Sequence, residues 1–193
     1  MQNFIMKYLC FLALFLVLAG TGNAQPAKTR NVRSTGTPRL TDDKATPLTQ
    51  ALYKNIYKLA KKYTMFGHQD DLAYGVGWRY KAGESDIKRV VNDYPAVYGW
   101  DLSYIEIDSD KNIDGVPFSA MRQYIIDGYK RGGVITLSWH LHNPLTGASA
   151  WDTTHNTVQS ILEGGSRHAL YKSWLDKAAA FIHSLKGDKG EAI

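Results

Sequence analysis

Cysteine is almost missing from this chain: the 193 residues contain one, Cys10. It sits inside an apolar run and has Phe11, not a small residue, after it, so lipid attachment there is not expected. With a single thiol, neither an internal disulfide nor a multi-thiolate metal site is available. Long apolar runs are also lacking. The one candidate, Tyr8 to Ala19, falls short of the roughly 20 residues a membrane span needs. Lys7 precedes it, and Gly22 and Ala24 follow it. This pattern predicts a secretory leader over residues 1–24, cleaved after Ala24, and a mature protein that is secreted or periplasmic and does not span the membrane. The competing reading, a retained anchor, asks for a longer run.

Charge of one sign is not concentrated enough to suggest a nucleic-acid partner. The 23 basic and 18 acidic residues leave a net +5. Much of that excess lies between Gln25 and Thr46, where Lys28, Arg30, Arg33, Arg39 and Lys44 face only Asp42 and Asp43. Such a Thr/Pro/Gly-containing stretch reads as a solvated linker over residues 25–46. No nucleic-acid-binding motif accompanies it, so no nucleic-acid partner is expected. Residues 47–193 are left for a globular domain.

What is present is an alternation of helix and strand. Leu48, Leu52, Ile56, Leu59 and Ala60 recur at helical spacing between Pro47 and Tyr63. Thr64 to Gly67 reads as a short strand, followed by a glycine-rich loop, AYGVGWRYKAGES. Helices are expected from Ser85 to Val91, about Ser119 to Lys130, Val158 to Leu162, and Ala169 to Leu185. Strands are expected at Ala96 to Leu102 and from Val134 onward, and the final GEAI reads as another strand beginning. The strands are short continuous apolar runs, which indicates a parallel sheet covered by helices. No Gly-x-Gly-x-x-Gly follows the first strand, which favours a barrel over a dinucleotide-binding fold.

Each expected strand ends in side chains suited to a polar ligand: Gly67-His68-Gln69-Asp70, Trp100-Asp101, and Trp139-His140. In a (β/α)8 barrel such ends share one rim, where catalytic and binding groups gather. His68, Asp101 and His140 are therefore expected at a common mouth. Taken singly each has a plainer reading: a loop histidine, a turn aspartate. Trp78, Trp100, Trp139 and Trp151 fall in or beside the rim loops, whereas Trp174 repeats with Leu170 and Ala178 and belongs to packing. Aromatic rings flanked by Asp, Asn and His suit a saccharide, which offers apolar C–H faces edged by hydroxyls. His140-x-His142 also admits a cation reading, since residues two apart in a strand project to the same side. The following Asn-Pro turns the chain, and no further ligands are evident, so neither metal nor cofactor is expected.

Three segments carry a resemblance: MFGHQDDLAYG, PAVYGWDLS, and GGVITLSWHLHNPLTG followed by Ala150-Trp151-Asp152. In their order and spacing the chain resembles glycoside hydrolase family 26, mainly secreted β-mannanases, in a form common among gut Bacteroidetes. The resemblance runs from about Pro47 to the last residue. It implies the first three βα units of a (β/α)8 barrel and the start of the fourth strand. It also implies retaining hydrolysis of internal β-1,4-mannosidic bonds in mannan polysaccharide or mannooligosaccharides. That chemistry uses two carboxyl groups about 5–5.5 Å apart. In the family both are glutamates, after the fourth and seventh strands, the first in a His-Glu pair. The resemblance places neither in this chain, so no catalytic residue is assigned and the chain alone is expected to be inactive. Asp101 and Glu106 are not in the family's positions, and Glu191 precedes the fourth strand's apolar run. His140 resembles a histidine that hydrogen-bonds beside the cleaved linkage, and Trp151 a stacking tryptophan. His68, Asp101 and Asn143 match motif positions and complete the expected substrate-binding set. Two alternatives stay open: a metal-dependent barrel hydrolase, which a chelator would inhibit, and a non-catalytic saccharide-binding remnant, which would bind without cleaving.

Overall fold

Thr46 opens the first helix with its own side chain. Its Oγ1 accepts a hydrogen bond from the Thr49 amide at 3.2 Å, and Pro47 occupies the first helical position, where no amide is needed. The computed structural model describes residues 39–193, and Thr46–Ile193 form one compact unit. The expected leader and most of the expected linker lie outside the described residues. Helix α1 spans Pro47–Leu59, four residues shorter than the apolar spacing suggested, and none of its residues is buried.

Three parallel strands form the sheet, in the order β1 (Gly67–Gln69), β4 (Val97–Asp101), β5 (Val134–Ser138). Gly67 pairs with Val97 and His68 with Tyr98, while Asp101 pairs with Ser138. The first strand begins where it was expected to end. Pairing to β4 carries the extended backbone through His68 and Gln69, against the local preference of glycine to stop a strand. Between β1 and β4 the glycine-rich loop holds a small hairpin, β2 (Tyr74–Gly75) with β3 (Trp78–Arg79), which two-residue strands gave no periodic signal to reveal. Helix α2 (Asp86–Val91) follows, capped by Ser85 Oγ accepting from the Lys88 amide at 3.0 Å.

Side chains alternate across a strand, so register assigns the two faces. Tyr98 and Trp100 point to the helix side. Trp100 stacks on Tyr124 of α3 (Phe118–Lys130) with ring centroids 5.7 Å apart. Tyr98 lies against glycine on both sides: a Cβ at Gly133 would stand 2.4 Å from its Cε2, and one at Gly128 3.0 Å from its Cδ2. Met121 and Ile125 of α3 join Leu72, Leu102, Val116, Ala178 and Phe181 in the core. The last two come from α5 (His168–His183), which follows the short α4 (Thr157–Ile161). Trp174 of α5 is buried, as its spacing indicated. The opposite face carries Gln69, Gly99, Thr136, Asp101 and Ser138. Here Gln69 Oε1 lies so close over Gly99 that a Cβ there would meet it at 2.2 Å.

The strand expected at GEAI is not formed among the described residues. Ala192 makes only an isolated antiparallel bridge with Lys186, and Gly187 donates to the Glu191 carbonyl at 2.9 Å. The local turn at 187–190 thus takes the backbone groups that a parallel partner would need. Glu191 lies beside the end of α3, where Tyr129 donates to it at 3.4 Å, remote from the strands' carboxyl ends. No helix among the described residues is long and apolar enough to cross a membrane. The arrangement is a parallel α/β unit consistent with part of a barrel.

Candidate functional site

Asp101 is the last residue of β4 and faces away from the helices. Its Oδ1 accepts from the Ser103 amide at 2.7 Å and from the Ser103 hydroxyl, and its Oδ2 accepts from Ser138 Oγ at 2.8 Å. The same Oδ2 takes His140 Nδ1 at 2.5 Å. Burial pushes this carboxyl up, but the Ser103, His140 and Ser138 donors outweigh it and hold it below the usual carboxylate range. An ionised Asp101 fixes the proton of His140 on Nδ1, which leaves Nε2 as the ring atom available to a ligand. The His140 amide is held as well, donating to Ser103 Oγ at 2.7 Å. His140 keeps half of its side chain exposed, and its ring lies 6.1 Å from that of Trp151. Trp151 is 81% exposed, far more than packing would explain for so large an apolar surface.

Asn143 shapes the loop between these two rings. Its amide group donates to the Asp152 carbonyl at 3.1 Å and to Thr157 Oγ1 at 3.0 Å, while its Oδ1 accepts from the Leu145 amide at 2.9 Å. It is buried, and its polar atoms serve the loop. Asp101, His140, Asn143 and Trp151 are therefore brought together at one end of the sheet. His68 is not. In register with Tyr98, it projects to the helix side, where Nδ1 pairs with the buried Asp71 at 2.8 Å. The common-mouth expectation for His68 fails because β1 extends through it instead of ending before it.

The aromatic set also contracts. Trp100 is fully buried core. The Trp78 indole donates to Asp86 at 2.7 Å and the Trp139 indole to Glu106 at 3.0 Å, so both serve internal structure. Of the four rim candidates Trp151 alone offers an open face. His140 and His142 turn to separate carboxylates, His142 Nδ1 meeting Glu106 Oε1 at 2.8 Å. Among the described residues no group of three or more His, Cys, Asp or Glu is arranged to hold a metal.

Glu106, set aside in the sequence as a catalytic candidate, has a structural place that the sequence did not indicate. It sits in a 3-10 turn, Ile105–Ile107, and its carboxylate is buried. Burial raises its pKa, but donors from Trp139 and His142 prevail and hold it low. Asp70 goes the other way. Burial, then the neighbouring Asp114 charge, push it up to about 7 against a Tyr74 hydrogen bond of 3.1 Å.

Residues 41–191 match glycosyl hydrolase family 26. The chain belongs to that family. Among solved family 26 structures, a β-mannanase from Bacteroides ovatus is 45% identical, with a TM-score of 0.74 over 77% of this chain and 44% of its own. An endo-β-1,4-mannanase double mutant from Cellulomonas fimi is 31% identical, with a TM-score of 0.71 over 82% of this chain and 36% of its own. A mannan endo-1,4-β-mannosidase of Bifidobacterium adolescentis is 27% identical over 100% of this chain and 20% of its own length. The chain thus spans less than half the length of each of these relatives.

Proposed function

We propose that this chain supplies the first three βα units of a (β/α)8 barrel and about half of the substrate mouth of a secreted, retaining endo-β-1,4-mannanase. The observation that carries this reading is the Asp101–His140–Trp151 arrangement at the sheet's carboxyl end in a family 26 chain. Trp151 provides a flat apolar face for a mannose ring, and His140 Nε2 a hydrogen bond to a hydroxyl beside the linkage. Asp101 holds that imidazole in one tautomer and orientation, as a carboxylate behind a histidine commonly does. The substrate is a β-mannan polysaccharide or mannooligosaccharide.

Retaining hydrolysis needs one carboxyl group that can donate a proton and a second that can attack the sugar. Asp70, with its pKa pushed up to about 7, is fully buried and could at most supply one of the two groups, and Asp101 and Glu106 fit neither role. Asp101 and Glu106 are buried, each committed to several donors, and held below the ordinary carboxylate range. The chain alone is accordingly inactive in this reading, while retaining saccharide contacts. Incubation of the purified chain with mannopentaose and galactomannan, followed by product analysis, tests this: no cleavage is expected. Cleavage abolished by Glu106→Gln or Asp101→Asn would overturn it. The leader reading has its own check. Expression of the full sequence should give exported protein beginning at Gln25, and retention of residues 1–24 would contradict it.

A further inference from the structure

The chain that presents His140 is fixed from both sides by one loop. Trp139, His140 and His142 all bond to the segment that leaves β4, residues 101–106. His140 is held by Asp101 and Ser103. The flanking Trp139 and His142 both hydrogen-bond to Glu106. Glu106 Oε2 accepts the Trp139 indole at 3.0 Å, and Oε1 accepts both the His142 amide, at 3.0 Å, and its Nδ1, at 2.8 Å. The Tyr104 ring stacks on His142 with centroids 5.2 Å apart. Lys177 of α5 anchors the same turn, donating to the Glu106 carbonyl and to Asp108, both at 2.7 Å.

We infer that Glu106 is a positioning residue of this mouth: its buried carboxylate, by gathering Trp139 and His142, sets the path of the backbone on which His140 is offered to saccharide. A glutamate serves here because all three of its partners are donors and a carboxylate is an acceptor on both oxygens. A glutamine cannot satisfy them, since its NH2 must face either the indole N–H or the histidine donors. Cooperation follows from spacing. Residues 139, 140 and 142 share one short segment that follows β5, so releasing the outer two frees the middle one. This inference rests on the saccharide reading for its purpose but not for its geometry.

Two measurements on the whole chain test it. Amide hydrogen exchange reports whether the His140 N–H remains bonded to Ser103, a local opening that a residue's neighbours control. Glu106→Gln should speed exchange at His140 by about 10-fold or more, while amides in β1 and β4 keep their protection. Mannopentaose affinity should fall at least about fivefold in step. Lys177→Met, which loosens the turn without removing the carboxylate, should leave the His140 amide protected. Faster exchange confined to His142, or faster exchange at His140 with unchanged affinity, would overturn the inference. If wild-type chain binds no mannopentaose, the saccharide reading fails, and the exchange at His140 still decides whether Glu106 positions it. Should Glu106→Gln not fold, His142→Ala removes the imidazole donor and keeps the carboxylate, and the same His140 exchange criterion applies.

Discussion

Asp70 and Asp101 are both buried acids near the carboxyl end of the sheet, and they respond oppositely to the protein around them. Asp101 has four donors and is held low. Asp70 has one, the Tyr74 hydroxyl, and leaves Oδ1 without a partner. For Asp70 the folded pKa of about 7 lies above the ordinary value near 3.8. Its contribution to stability is therefore present at acid pH and lost as pH rises through 7. For Asp101 the shift is downward, so its contribution is present at neutral pH and lost as pH falls through its folded pKa. Thermal melts should show Asp70→Asn stabilising by about 3 °C or more at pH 8 and little at pH 4. Asp101→Asn should destabilise at pH 7, with the deficit shrinking in acid. A pH-independent effect for either variant would refute the assignment.

At the scale of elements, the apolar run VITLS could be read directly as a parallel strand, and β5 covers it, although its residues are half-buried or exposed instead of buried. Helices α1, α2, α3 and α5 were likewise visible from capping and spacing, because those signals are local. Faces were not visible. Whether His68 looks toward sugar or toward helix depends on the pairing of Gly67 with Val97, which no local residue pattern specifies. The burial and the partners of Glu106 were hidden for the same reason. An acid between two isoleucines has no marker until the turn that buries it is known. Trp100 and Trp139 lie beside functional residues in sequence, yet the strand's alternation sends them to the opposite side. One glycine makes the packing of β4 on β5 testable. Gly133→Ala would drive a methyl group against the Tyr98 ring, and overpacking of this kind costs about 1–3 kcal/mol. Chemical denaturation should detect that loss. A variant as stable as the parent would show that Tyr98 can move.

At the scale of the whole molecule, family membership and the edge geometry converge on one end of the parallel sheet. The chain carries a histidine oriented by a buried aspartate, a freely exposed tryptophan beside it, and a loop tied by Asn143 that sets the distance between them. Among the described residues at that edge, Asp101 and Glu106 are committed to internal donors and held low, and Asp70, with its pKa at about 7, is fully buried. On the function proposed above, this edge is the part of the molecule that would meet a β-mannan.

The most direct measurement is a mannopentaose titration of the purified chain followed through the side-chain NMR signals of His140 and Trp151. The account predicts saturable shifts at both rings, none at His68, and loss of the His140 response in Trp151→Ala without loss of fold. Unmoved signals at His140 and Trp151 at millimolar ligand, or shifts centred on His68, would contradict it.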